Sequence, residues 1–351
     1  MPDLDEVGET ISGAVASGGI PGVVAAAGRG PVTLGTWTAG LADTAPGAQR
    51  PMTAGTVFDL ASLTKVVSTT TITLSLAAAG KIRLDDPVGR YLPAAPWDVT
   101  VRQLLAHSSG LPGSVKFYEW CATRDELLGA LYATELEAPP GTRVDYSDLG
   151  FMTLGEMISS VTGSPLDAAF RDLVGGPLGL AGTCYLPAGP PELFAATEFR
   201  DDGTPWTGIV HDENARVMGG VAGHAGLFTP MADLARFASW WVSSADGPVP
   251  PALRREAETC QTPGLNGRRG LGWVKPGDRF DILAGAWPET AVSHTGFTGT
   301  SIALDSASGA WVVLLTNRVQ FGRDATAIRA LRRAVHIAAA QALIRSPGGS
   351  K

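Results

Sequence analysis

Phe58-Asp59-Leu60-Ala61-Ser62-Leu63-Thr64-Lys65 is the stretch on which the reading of this chain turns. It opens a run rich in Val, Thr, Leu and Ala that predicts a helix from Ser62 to about Ala79, stopped by Gly80. Residues three apart share a helix face, so the Lys65 amine can approach the Ser62 hydroxyl as base to nucleophile. A serine in a first helical turn also stands among unpaired backbone N–H groups, at the positive end of the helix dipole, where an oxyanion would be stabilised. One Ser-x-x-Lys by itself is weak, so the rest of the chain has to carry the argument.

Toward the N-terminus the pattern predicts a helix over about 4–17. Two short strands follow, Gly22 to Ala27 and Val32 to Ala39, joined through Gly28-Arg29-Gly30-Pro31 as a hairpin. Beyond Gly80, helices are predicted from Arg124 to Thr134, Leu149 to Thr162 and Leu166 to Val174, the last two ended by Gly163 and Gly175. Near the C-terminus, Thr298 to Leu304 and Trp311 to Thr316 are β-favouring runs separated by Asp305-Ser306-Ala307-Ser308-Gly309, followed by a helix from about Ala325 to Ile344. The tail Ser346-Pro347-Gly348-Gly349-Ser350 is expected to fray. Strands at both ends with helices between do not alternate as βαβ units do. The expected class is α+β, an antiparallel sheet built from both termini and flanked by helices, with an inserted, mostly helical lobe. Residues 1–60 and 215–351 would form the α/β lobe and 61–214 the helical one, with the active site at the seam.

Two further motifs follow the first in order. Tyr146-Ser147-Asp148 lies on a loop at the entrance of the 149–162 helix. A phenol is a poor base at neutral pH, but a neighbouring ammonium would lower its pKa and let it relay protons. The plainer alternative is that Ser147 or Asp148 caps the helix and Tyr146 merely packs. Ser293-His294-Thr295-Gly296-Phe297-Thr298-Gly299-Thr300 leads into the strand Ser301 to Leu304, where Gly296 and Gly299 would let substrate approach an edge strand and the Phe297 N–H could serve as an oxyanion donor, the plainer alternative being a Gly-rich strand entry with His294 as a surface residue.

Together these pieces resemble the serine β-lactamase and penicillin-binding-protein superfamily, in particular its class C branch with the family VIII carboxylesterases and D-aminopeptidases. Leu104-Leu105-Ala106-His107-Ser108-Ser109-Gly110-Leu111-Pro112 and Val313-Leu314-Leu315-Thr316-Asn317-Arg318 are similar to segments common in that group. The resemblance implies a β-lactamase/transpeptidase-like fold with Ser62 as the acylated nucleophile. Lys65 and Tyr146 would share the proton transfers, with the choice of acylation base left open. The amides of Ser62 and Phe297 would form the oxyanion hole, and Asp148, His294, Thr295 and Gly296 would line the substrate. Two departures stand out: His294 where Lys is usual, and Asp148 where Asn is commoner. The first weakens attraction for a β-lactam carboxylate, and the second adds an anion able to pair with Lys65. Both lean toward a small ester, and less toward an amide. Alternatives are an acyltransferase using the same acyl-enzyme, a D-aminopeptidase, DD-peptidase or β-lactamase, and a non-catalytic binding protein on the same fold.

The 351 residues carry a net charge of −7 without a Lys/Arg cluster, which argues against nucleic-acid and anionic-membrane partners. Cys121, Cys184 and Cys260 are too far apart to suggest a metal or redox couple. His211 and His224 lack metal-ligand spacing, so no metal is expected and the segment reads as structural or substrate-lining; His107 and His336 read as structural or surface residues. Trp120 and Trp206 are candidates to line an apolar pocket. No GxSxG, Walker or GxGxxG motif is present, and no cofactor is implied. The acidic N-terminus reads as an amphipathic helix rather than a leader, so a soluble, cytoplasmic enzyme is expected.

Overall fold

The structure, a computed structural model, describes residues 3–344. Nine strands occur among them: β1 (Gly22–Arg29), β2 (Val32–Asp43), β3 (Arg50–Pro51), β4 (Val57–Asp59), β5 (Cys184–Tyr185), β6 (Leu227–Pro230), β7 (Val292–Thr295), β8 (Ser301–Asp305) and β9 (Ala310–Thr316). The Val/Ala run of β1 is buried along all but its last residue, as a strand covered on both faces must be. It therefore lies inside a six-stranded sheet of order β3-β2-β1-β9-β8-β7, antiparallel throughout, whose strands come from the two ends of the chain.

The two-residue period of the strands splits the core. Val23, Ala25 and Ala27, with Val312 and Leu314, face the terminal helices Asp5–Ala16 and Thr326–Leu343 through Val7, Ile11, Leu331 and Val335. Val24 and Ala26, with Val313 and Leu315, face Phe237 and Trp241 of the helix Met231–Val242 and the helices that follow Ser62. A smaller sheet, β4-β6-β5, runs from Asp59 toward that helical region. The three cysteines are unpaired, and no helix among the described residues is long and apolar enough to cross a membrane.

Three expectations need correction, and the predicted fraying of the tail lies outside the described residues. The 62–79 helix is not a single α-helix: a 3₁₀ turn at Ala61–Leu63 leads into a π-helical stretch, Lys65–Thr70, and only then into the α-helix Thr71–Ala78. Buried threonines widen it, since Thr71 Oγ1 donates to Val66 O at 2.8 Å, five residues back, and Thr69 Oγ1 leaves the helix to reach Gly223 O. Gly175 does not end its helix, because its φ is an ordinary −60°. The chain continues through a π turn, Arg171–Gly175, to Leu178 and stops at Gly179, where φ is +64°. Pro177 lacks the N–H that would continue the regular ladder there. Finally, the β-favouring run from Thr298 becomes strand only at Ser301, the start read from the His294 motif, and His294 itself lies on a separate short strand, β7. Residues 296–300 turn instead, with Gly299 at φ +115°.

Candidate active site

Ser62 sits at the end of β4, on the 3₁₀ turn, directly after Ala61, whose φ of +46° is rare for a residue with a side chain. Asp59 holds that conformation: one carboxylate oxygen accepts the Ala61 N–H at 2.8 Å and the other the His211 N–H at 2.7 Å. The 296–300 turn is tied to the same backbone. Thr298 Oγ1 donates to Asp59 O at 2.8 Å and Thr300 Oγ1 to Leu60 O at 2.9 Å. Arg332 Nη2 donates to both Gly296 O and Thr300 O at 2.7 Å. A Cβ at position 296 would collide with Thr300 Oγ1 and Leu60 O, so the approach of this turn to the serine requires glycine. Among the described residues the amides of Ser62 and Phe297 donate to no acceptor.

Lys65 is completely buried one turn on. Its Nζ donates to Ser62 Oγ at 3.0 Å and to His224 O at 3.1 Å, and it forms an ion pair with Asp148 Oδ1 at 2.8 Å. Burial alone would lower its pKa, but Asp148 and Tyr146 outweigh that and hold the ammonium above its usual value. The Tyr146 ring centroid is 5.0 Å from Nζ. Burial pushes the phenol up, with Lys65 opposing the shift and Asp148 adding to it.

His107 holds the tyrosine loop in place. Its carbonyl accepts the Asp145 N–H and its Nδ1 the Ser147 N–H, both at 2.9 Å, so it grips both neighbours of Tyr146 while its ring packs, tilted, against the phenol with centroids 4.6 Å apart. It does so from φ +55°. Ser147 is the helix cap, accepting the Gly150 N–H. The capping alternative is thus right about Ser147, yet Tyr146 still faces Lys65.

His294 is not a surface residue: it lies on β7, an edge of the sheet, with its ring buried and 5.9 Å from that of Tyr146. Nδ1–H donates to Thr295 O at 2.9 Å. Burial, then the charges of Lys65 and Arg269, hold its pKa well below the ordinary value, so it is neutral at pH 7. Thr295 pairs with Ser301 at the strand end. The structure therefore brings Ser62, Lys65, Tyr146, Asp148 and His294 into one cluster, with Gly296 and Phe297 tied to it through the turn.

Elsewhere, His211 Nε2 lies 3.0 Å from a Glu198 carboxylate oxygen and its ring stacks on Phe297 at 5.5 Å, while His224 Nε2 bonds Asp212 at 2.9 Å. The two imidazoles serve different carboxylates. His107 and His336 are both fully buried, not surface residues. Trp120 is 60% exposed, and the Trp206 ring packs against the guanidinium groups of Arg200 and Arg216, at 4.0 and 4.7 Å from its centroid. Asp59, Arg269 and the gripping role of His107 went unread. Asp59 and His107 lie inside segments already singled out, whereas no local pattern marks Arg269.

The Beta-lactamase family model matches residues 7–336. An Escherichia coli (strain K12) protein named "Putative D-alanyl-D-alanine carboxypeptidase" is 33% identical over 314 residues, which span 76% of this chain and 70% of that one. Among solved structures, EstCE1, described as a hydrolase with promiscuous acyltransferase activity, superposes with a TM-score of 0.76 at 23% identity, over 94% of this chain and 98% of that one. A class C beta-lactamase gives the same TM-score at 21% identity, over 99% and 97%. At these identities the two structures share the fold.

Proposed function

The chain belongs to the beta-lactamase family, and on that premise we propose that it is a serine hydrolase that cleaves a small ester through an acyl-Ser62 intermediate. The observation that carries this reading is the contact of Lys65 Nζ with Ser62 Oγ at 3.0 Å beneath the Tyr146 phenol. Ser62 Oγ attacks the ester carbonyl carbon, its proton passes to the Lys65–Tyr146 pair, and the free amides of Ser62 and Phe297 receive the developing oxyanion. Collapse breaks the bond to the alkoxide, which leaves with a proton from the pair. Water then attacks the acyl carbon, and the carboxylic acid departs as Ser62 regains its proton. In the resting site Lys65 is an ammonium and Tyr146 a neutral phenol, so the reactive form is the one with a single proton removed from the coupled pair. Activity should accordingly rise toward alkaline pH.

The neutral, buried His294 supports an ester over a β-lactam, since position 294 offers no cation to a carboxylate. A second reading, cleavage of a peptide ending in a free carboxylate, draws support from a cavity of about 410 Å³ beside Thr295 whose charged lining is Arg279, Arg329, Arg332 and Arg333 against the single acid Asp281, and from the name of the E. coli relative. Mass spectrometry after treatment with a fluorophosphonate should find the label on Ser62. Turnover of 4-nitrophenyl esters, D-Ala-D-Ala peptides and nitrocefin then ranks the substrates. An unlabelled Ser62 in an active preparation overturns the mechanism, and peptide turnover exceeding ester turnover overturns the ester assignment.

A further inference from the structure

The Tyr146 ring meets positive charge from two elements. Lys65 Nζ lies 5.0 Å from its centroid, and the guanidinium carbon of Arg269 lies 5.7 Å from it. Arg269 belongs to the segment between the helix Pro251–Glu258 and β7, outside every motif. It is fully buried, a costly place for a guanidinium. Nη2 bonds Asp278 Oδ1 at 3.0 Å, whereas Nε and Nη1 find no partner among the described residues. Asp278 is fixed in turn by the N–H groups of Arg268 and Phe280, both at 2.8 Å. The Phe280 ring packs on Tyr146 at 5.5 Å and on the guanidinium at 5.1 Å. The result is a fixed cation clamped beside the phenol, while His294 on β7 contributes none.

We propose that Arg269 is a positioning residue for the Lys65–Tyr146 pair: Asp278 and Phe280 hold its guanidinium against the Tyr146 ring, where its charge favours loss of the proton that the pair must give up. The inference rests on the reading of Ser62 as the acylated nucleophile. The other groups facing the pair are Asp148 from the start of its helix, His107 from the turn after Val101–Leu105, His294 from β7, and Asp212, paired with His224, whose carbonyl accepts from Lys65 Nζ. Asp145 with Arg143 and Arg279 lies further along the loop. His107 and His294 are held neutral by burial and by the neighbouring cations. Asp148 acts on Lys65 in the opposite sense. Loss of a cation makes the proton harder to remove whether Lys65 or Tyr146 carries it, so the sign of the effect does not depend on that choice. A neighbouring charge at this range shifts a titration by about 1–3 units, and screening by Asp278 places Arg269 near one.

The test is the pH profile of kcat/KM on 4-nitrophenyl butyrate, with fluorophosphonate labelling of Ser62 run alongside. The double variant Arg269→Met/Asp278→Asn leaves no unpaired buried charge and should move the ascending limb about one unit toward alkaline pH. Arg269→Lys, which keeps the cation, should stay near the wild type. Asp278→Asn alone removes the screening carboxylate and should move the limb the other way, toward acid. This single variant decides the matter should the double variant not fold. A limb unmoved in the double variant, or in Asp278→Asn, with Ser62 still labelled, overturns the role of Arg269 alone. An unlabelled Ser62 in active wild-type protein overturns the parent reading, and this one with it.

Discussion

Replacing Asp148 by Asn removes one unit of charge at nearly constant shape from the carboxylate that touches the Lys65 ammonium. The separation is 2.8 Å, with Lys65 fully buried and the Asp148 side chain 21% exposed. At that distance a unit pair is worth about 6 kcal/mol at an effective dielectric constant of about 20 and about 1.5 kcal/mol in bulk water. The partial exposure of Asp148 places this pair between those limits. At about 1.4 kcal/mol per pH unit, its loss should lower the pKa of the amine by roughly 1–3 units. Burial, no longer opposed, pulls in the same direction. The ascending limb of kcat/KM against pH, measured on an activated ester, should therefore move toward acid by that amount in Asp148→Asn. The stability linkage has its own sign. A folded pKa above the unfolded value means that the pair stabilises the fold fully at neutral pH and loses that contribution only as pH rises through the folded value, above about 10.4. Asp148→Asn should thus lower Tm at pH 7 more than at the alkaline end of the range. A limb that stays put or moves toward alkali would show that Asp148 does not govern the essential proton, and the electrostatic reading of the site would fail.

Lys65→Ala and Tyr146→Phe should each lower kcat at least about 100-fold, in the range of proton-transfer groups, while circular dichroism shows a retained fold. His107→Phe removes the acceptor of the Ser147 N–H and leaves a buried donor unpaired. Stability should fall by about 1–3 kcal/mol in urea unfolding, and kcat should fall with KM less affected. Gly296→Ala forces a methyl group against Thr300 and the Leu60 carbonyl, so both Tm and the rate of Ser62 labelling should drop; normal labelling would show that the turn can yield. His294→Ala should change the ranking of ester substrates more than the acylation rate, read from burst kinetics across acyl-chain lengths.

The elements that were legible are those whose signal is local. The β1–β2 hairpin, the 149–162 helix with its Ser147 cap and Gly163 stop, and the C-terminal strand and helix all announce themselves through period, caps and glycine. The misread elements depended on distant partners. The stretch after Lys65 becomes π-helical because buried threonines bond carbonyls outside the regular ladder, one of them on Gly223. Residues 298–300 read as strand by composition, but their hydroxyls are claimed by Asp59 and Leu60, some 240 positions away in the chain, and the backbone turns to deliver them. β7 is only four residues long, too short for periodicity to reveal.

The linear order of residues determined which chemical groups this protein owns: a serine and a lysine three apart, a tyrosine before a capped helix, and a histidine ahead of a glycine-rich turn. Spacing along one chain settles such local matters because helix and strand geometry act over a few residues. Which charges face one another was decided by tertiary structure alone. The grip of His107 on both sides of Tyr146 and the Arg269 guanidinium beside the phenol join segments tens of residues or more apart, and the pairing of Asp148 with Lys65 that the sequence left open is made only by the fold. Electrostatic strength depends on distance and burial in space, and neither is written in sequence separation.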